Sequence, residues 1–280
     1  MASKKKANAS VNNSRQLLKD INMDSTLKFR VEESYKSIRA NIMFSIMKKG
    51  CKTIVVSSAV PNEGKTTTTV NLAISFAQAD QKVLLIDGDL RKPKIHNYFS
   101  LPNSPGLTNY LGGKVSSSSA EKVSLLNVIH TTEYRNLFML SAGTIPPNPA
   151  ELLGSDPMAE FINEIGNDFD YIIIDTPPIN VVSDALPLIR ESDGAVLVVR
   201  SNKTTHPEIQ KAIASLEFID AKILGFIINS VDTNSKEKYG YAGSYRYDKR
   251  YSSYSSYGPY GGYDRYDRDR YPRDSRDMGR

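Results

Sequence analysis

Residues 53–69 read T-I-V-V-S-S-A-V-P-N-E-G-K-T-T-T-T. The apolar run Thr53–Val56 stops at Ser57-Ser58, and a loop runs from Ala59 to Thr66. Val70, Leu72, Ala73, Phe76 and Ala77 then recur at roughly helical spacing. Strand, loop and helix in that order make an anion site from backbone amides and a helix N-terminus. The loop fits G-x-x-x-x-G-K-[ST], with Ala59 in place of the first glycine, which is tolerable where φ stays negative. In such a loop Lys65 reaches the β- and γ-phosphates of ATP and the Thr66 hydroxyl binds Mg²⁺.

Working outward, further apolar runs alternate with helical patterns. Val83–Ile86 ends in Asp87-Gly88-Asp89, and Tyr171–Ile174 ends in Asp175-Thr176-Pro177-Pro178. Ala195–Val199 and Ile223–Ile228 are two more, with helices expected near 151–166, 184–191 and 206–217. Runs so uniformly apolar imply strands buried on both faces, and the alternation implies an α/β fold with a doubly wound, mostly parallel sheet. Ligands in such folds sit at the carboxyl ends of strands, where Asp87, Asp89, Asp175 and the phosphate loop all fall. Residues 100–135 are harder to assign, and Ser116–Ser119 read as loop. Asn148–Leu153 look like a helix start after Pro146-Pro147.

Upstream, residues 27–47 form an amphipathic helix with Val31, Tyr35, Ile38, Ile42 and Ile46 on its apolar stripe. Glu33 lies opposite that stripe, and Lys36 and Arg39 step round toward its edge. Charges at this spacing equally suit a plain solvated face.

The chain has 280 residues, 40% hydrophobic and 24% charged, enough for one large α/β domain with tails. Its net charge of +5 is concentrated at the ends, with Lys4, Lys5, Lys6 and Arg15 in a polar N-terminal arm. One cysteine, Cys51, excludes an internal disulfide framework and fits a reducing compartment. No apolar run approaches the roughly 18 residues that cross a bilayer, and no signal-peptide core is seen. A cytoplasmic protein that meets the membrane through a partner is expected. From Tyr239 onward Leu, Ile, Val, Phe and Trp disappear, while eleven tyrosines recur among Gly, Ser, Asp and Arg. They are Tyr239, Tyr241, Tyr245, Tyr247, Tyr251, Tyr254, Tyr257, Tyr260, Tyr263, Tyr266 and Tyr271. Such a segment cannot bury enough surface to order itself. The expected domains are a disordered basic arm at 1–26, a P-loop domain at 27–235 and a disordered tyrosine-rich tail at 236–280.

Phosphoryl transfer needs positioning and charge neutralisation more than covalent chemistry. Asp87, Asp89 and Asp175 supply carboxylates both for a metal and for taking a proton from an incoming hydroxyl. Each could instead cap a helix.

The chain resembles the bacterial tyrosine kinases of the CpsD/CapB family, which regulate capsular and exopolysaccharide synthesis. The resemblance rests on the Walker A loop Ala59–Thr67, the Walker A′ segment Val83–Pro93, the Walker B segment Ile172–Pro178 and the tyrosine cluster. It implies a MinD/ParA-like P-loop fold, with ATP held by Ala59, Asn62, Glu63, Gly64, Lys65, Thr66 and Thr67. It further implies Asp87 as base toward the tyrosine hydroxyl, and Thr66, Asp87, Asp89 and Asp175 around Mg²⁺. The tail tyrosines would be autophosphorylation sites. The family's ring-forming E-x-x-R-x-x-R appears as Glu33, Lys36 and Arg39, and Lys36 lacks the two-pronged contact of an arginine. By analogy with related ATPases, Asn229 would contact adenine. The implied partners are a membrane-embedded polysaccharide co-polymerase that activates the kinase, further copies of this chain, a protein-tyrosine phosphatase and protein substrates.

Two rival readings remain at this point. A MinD/ParA-type positioning ATPase carries an extra lysine early in the loop, at the place of Val60 here, and does not explain the tyrosines. A nucleotide-gated nucleic-acid-binding protein would stack bases on the Tyr/Arg tail; no stable nucleic-acid partner is expected.

Overall fold

The structure is a computed structural model and describes residues 25–115 and 124–231. The eleven tail tyrosines, the basic arm and Ser116–Ser119 lie outside the described residues.

One long helix, α1 (Ser25–Ser45), precedes a seven-stranded sheet. The strands are β1 (Lys52–Ser58), β2 (Val83–Asp87), β3 (Ile129–Thr131), β4 (Leu137–Leu140), β5 (Tyr171–Asp175), β6 (Gly194–Arg200) and β7 (Ile223–Asn229). Their order is β3-β4-β2-β5-β1-β6-β7, parallel throughout except for β3 against β4. The central strands β1, β2 and β5 are almost wholly buried, as their unbroken apolar runs require.

Helices cover both faces. On one lie α1, α2 (Lys65–Ala77) and α3 (Ile95–Tyr98), packing Ile42, Ile46, Val70, Phe76 and Tyr98 against the sheet. The other holds α4 (Leu107–Val115), α5 (Leu125–Val128), α6 (Pro149–Leu153), α7 (Asp156–Ile165), α8 (Ala185–Arg190) and α9 (His206–Glu217). Leu107, Leu111, Phe161, Leu188 and Leu216 fill that side. The stripe expected on α1 is the face that packs: Ile42 and Ile46 are buried, and Tyr35 and Ile38 lie against the same cluster.

Three expectations are corrected. The helix expected over 151–166 is two helices, because Gly154 caps α6 and Ser155 starts α7, with a proline in its first turn. The stretch 100–135, hard to assign from sequence, holds β3 (Ile129–Thr131), and Leu137–Leu140 just beyond it forms β4, for which no strand was expected. Ile223–Ile228 is not buried on both faces: β7 is an edge strand, with Phe226 45% and Ile228 63% exposed.

The consequence for function is positional. The phosphate loop leaves β1, which sits between β5 and β6, while Asp87 ends β2 and Asp175 ends β5. Asp87 and Asp175 are register partners on adjacent parallel strands, so two carboxylates stand side by side next to the loop.

Candidate functional site

The loop's curvature comes from two left-handed residues, Asn62 with φ 65° and Gly64 with φ 87°. Ala59 is not among the positive-φ residues, so the missing first glycine costs nothing there. Gly64 is the cap of α2, and a Cβ on it would come within 2.0 Å of Asn229 Nδ2. Only glycine satisfies both the backbone and the space. Val60, at the position where the rival ATPases have lysine, is half-buried against the core.

Asp175 is the hub. Lys65 Nζ lies 2.7 Å from its Oδ1, with both side chains buried. The Thr66 hydroxyl donates to Oδ2 at 2.7 Å, and the Thr69 hydroxyl donates to Oδ1 at 3.1 Å. Thr69 lies one helical turn beyond Lys65, so the i, i+4 rule applied to the threonine run would have found it. Thr67 shares a 2.7 Å hydrogen bond with the Tyr98 hydroxyl.

Asp87 is fully buried. Its Oδ2 accepts the amides of Lys94 and Ile95, each at 2.9 Å, while Oδ1 is buried with no partner among the described residues. Burial, then the charge of Asp175, pushes its carboxyl up to about 7 against the pull of the two amides and of Lys65. Asp89, half-buried, accepts the Lys92 amide at 3.0 Å, and burial raises its carboxyl too. Segment 88–94 thus folds back over Asp87. It is tied down by Arg91, whose Nε and Nη2 hold the buried Asp184 at 2.6 and 3.0 Å. Sequence reading missed this pair, because nothing local links a Walker A′ arginine to an aspartate ninety residues on.

Glu63 and Asn229 also come together. Asn229 Nδ2 donates to the Glu63 carbonyl at 2.8 Å, which joins the end of β7 to the loop. Away from the site, Glu33 and Lys36 pair with each other at 2.7 Å, and Arg39 Nη1 donates to the Ser75 carbonyl and, at 3.2 Å, to its hydroxyl. Of the three charged residues on α1, Arg39 is therefore engaged with the C-terminal part of α2 in its own chain.

Among the described residues no three acidic, histidine or cysteine side chains converge as a ready-made metal cage. Mg²⁺ bound with a nucleotide needs only one or two carboxylates and fills its shell with phosphate oxygens and water. The Thr66 hydroxyl and the Asp175 carboxylate are donors of the right chemistry for it, and Asp87 Oδ1, buried with no partner among the described residues, stands on the strand beside them.

A phosphate loop after the central strand, a glycine-capped helix and strand-end carboxylates on a parallel sheet define a P-loop NTPase fold, MinD-like in architecture. A family model described as an AAA domain matches residues 51–224. The tyrosine-protein kinase YwqD of Bacillus subtilis is 42% identical over 212 residues, 76% of this chain and 86% of that one. The putative tyrosine-protein kinase CapB of Staphylococcus aureus is 39% identical over 216 residues, 76% of this chain and 91% of that one. Among solved structures, the kinase domain of the Escherichia coli tyrosine kinase ETK aligns with a TM-score of 0.67 at 34% identity, covering 75% of this chain and 79% of that one. The chain belongs to the bacterial tyrosine-protein kinases of the CpsD/CapB family. That favours the kinase reading over both rivals.

Proposed function

We propose that this chain transfers the γ-phosphate of ATP to tyrosines, its own C-terminal cluster in trans among them, and so regulates capsular or exopolysaccharide synthesis. The observation that carries the reading is the buried Lys65–Asp175–Thr66 constellation beside Asp87 at the ends of neighbouring strands. Bound Mg²⁺ would neutralise charge on the phosphates. Ala59, Asn62, Glu63, Gly64 and Thr67 shape the amide cradle for the nucleotide, and Lys65 supplies a mobile positive charge. Thr66 and Asp175 would hold the metal, with Asp87 and Asp89 on its waters.

Asp87 takes the proton of the incoming tyrosine hydroxyl. Its Oδ1 is the atom free to accept it, since Oδ2 is occupied by two amides. A base raised to about 7 is matched to work at neutral pH. Because Asp87 is fully buried, the 88–94 cover must part to admit a hydroxyl.

The remaining assignments follow the family. Copies of the chain assemble into a ring through α1, with Glu33, Lys36 and Arg39 near the contact. Asn229, which bonds the loop at the Glu63 carbonyl, would contact adenine. No helix among the described residues is long and apolar enough to cross a membrane. A membrane-embedded polysaccharide co-polymerase recruits the cytoplasmic kinase to the inner face of the plasma membrane, and a phosphatase resets the tail.

Incubation of the purified chain with labelled ATP and no other protein tests the reading. Phosphotyrosine on the tail, lost on changing Lys65, is expected. Phosphate release without phosphotyrosine would return the protein to the positioning ATPases, and salt-sensitive nucleic-acid binding without either would favour the third reading.

A further inference from the structure

The turn that leaves β6 is built around a buried carboxylate of the phosphate loop. Glu63 is 1% exposed. Its Oε2 accepts the Val60 amide at 2.9 Å, closing the loop on itself. Its Oε1 accepts the Thr204 hydroxyl and, at 3.3 Å, the Arg200 amide. Thr204 Oγ1 in turn accepts the Arg200 amide at 3.1 Å, and Arg200 Nη1 donates to the Asn62 carbonyl at 3.3 Å. One carboxylate thus ties the β1 loop to the β6 turn.

The position of that tie matters. Glu63 stands between Asn62 and Gly64, the two left-handed residues of the loop. Asparagine visits this backbone more readily than most residues, and the Val60–Glu63 and Arg200–Asn62 bonds on either side fix it there. Successive amides turned inward by this backbone are what make an anion-binding concavity. Glu63 does not need to touch a phosphate to matter; it holds the loop in the shape that does. A charged acceptor with almost no surface depends on its donors, because losing one leaves buried charge unsatisfied.

We propose that Thr204, acting through Glu63, is a positioning residue for nucleotide binding, the β6 turn holding the phosphate loop in its anion-binding curvature. This rests on the nucleotide-dependent reading above. Neither Thr204 nor the β6 turn belongs to any Walker segment.

The test compares the full-length parent with Thr204→Val, which keeps the shape and loses the hydroxyl, and Thr204→Ser, which keeps the hydroxyl. Without nucleotide, hydrogen exchange at the Val60 amide should be at least about tenfold faster in Thr204→Val and parent-like in Thr204→Ser. A fluorescent ATP analogue should bind Thr204→Val about ten- to a hundredfold more weakly, the range expected for a hydrogen bond to a charged group. KM for ATP should rise in parallel and kcat stay within about threefold. Unchanged affinity in Thr204→Val overturns the proposal, whether or not the protein melts earlier, and so does a fall in kcat at constant KM. Should Thr204→Val not fold, Glu63→Gln replaces it: it retains acceptor oxygen without charge, weaker binding supports the proposal, and parent affinity overturns it. If the parent itself binds no nucleotide, the kinase reading fails, and Val60 exchange still decides whether Thr204 holds the loop.

Discussion

Replacing Asp87 by asparagine should stabilise the protein while abolishing its chemistry, and the gain should depend on pH. Asp87 faces Asp175 in register, and Lys65 is paired with Asp175 at 2.7 Å. Asp87 has no ion-pair partner of its own among the described residues. Burial and the Asp175 charge raise its carboxyl from the ordinary 3.8 to about 7. A carboxyl raised on folding favours the fold fully below its unfolded value, and that advantage is lost as pH climbs through the folded value. The loss is at most about 4 kcal/mol, spread between about pH 4 and pH 7. Asparagine removes it and keeps an oxygen for the Lys94 and Ile95 amides. Its NH₂ falls where Oδ1 has no partner, at a cost of about 1–3 kcal/mol. The net gain is about 1–3 kcal/mol at pH 8, or about 2–12 °C in Tm for a domain of this size, and it falls to zero and reverses as pH drops toward about 4. Thermal unfolding of parent and Asp87→Asn, free of Mg²⁺ and nucleotide, should give curves of Tm against pH that diverge above about pH 5. Parallel curves would refute the argument. The same variant should bind a fluorescent nucleotide yet form no phosphotyrosine, and an active Asp87→Asn enzyme would remove Asp87 from the mechanism.

Lys65→Met should abolish phosphotyrosine formation, and because it strips a buried partner from Asp175 it should also lower stability by up to about 3–5 kcal/mol, softened by the Thr66 and Thr69 hydroxyls; normal phosphotyrosine in the folded variant would sink the kinase assignment. Replacing Glu33, Lys36 and Arg39 together by Ala should reduce oligomer mass in light scattering, with Arg39→Ala alone costing about 1 kcal/mol through its lost bonds to Ser75; equal mass for variant and parent returns Glu33 and Lys36 to a solvated face. Tail phosphorylation should dismantle the assembly. Residues 239–280 carry nine Lys/Arg and six Asp, a net of +3, and each phosphate adds about −1.5 to −2, so two cancel the charge and five reverse it. Oligomer mass before ATP, after ATP and after phosphatase tests this, and a fully phosphorylated sample of undiminished mass would falsify the switch.

What sequence could show was whatever is local. The Walker A loop, the strand-end aspartates and the α1 stripe each lie within one short stretch, and each stands where its spacing placed it. Strand β4 escaped because Leu137–Leu140 is four residues long and carries no glycine–aspartate punctuation. Strand β7 was misjudged because apolar composition reports a strand but not its place at the edge of a sheet. Arg91 with Asp184, Glu63 with Thr204 and Arg39 with Ser75 stayed hidden for one reason: each joins elements brought together only by the crossovers. Motifs point to residues suited to meet a nucleotide, and not to the residues that hold those residues still.

The ion pair between Lys65 and Asp175 has a consequence for rate as well as for structure. An ammonium held at 2.7 Å by a buried carboxylate is not idle while it waits for phosphate. It is already bound to an internal anion that occupies the same charge, so the protein carries its own competitor for ATP. An arriving triphosphate would have to displace Asp175 from that ammonium, and the released carboxylate would become available to a cation in the same exchange. Nucleotide and metal would thereby be made to enter together: a triphosphate without a cation would leave the buried Asp175 charge with only the Thr66 and Thr69 hydroxyls to meet it.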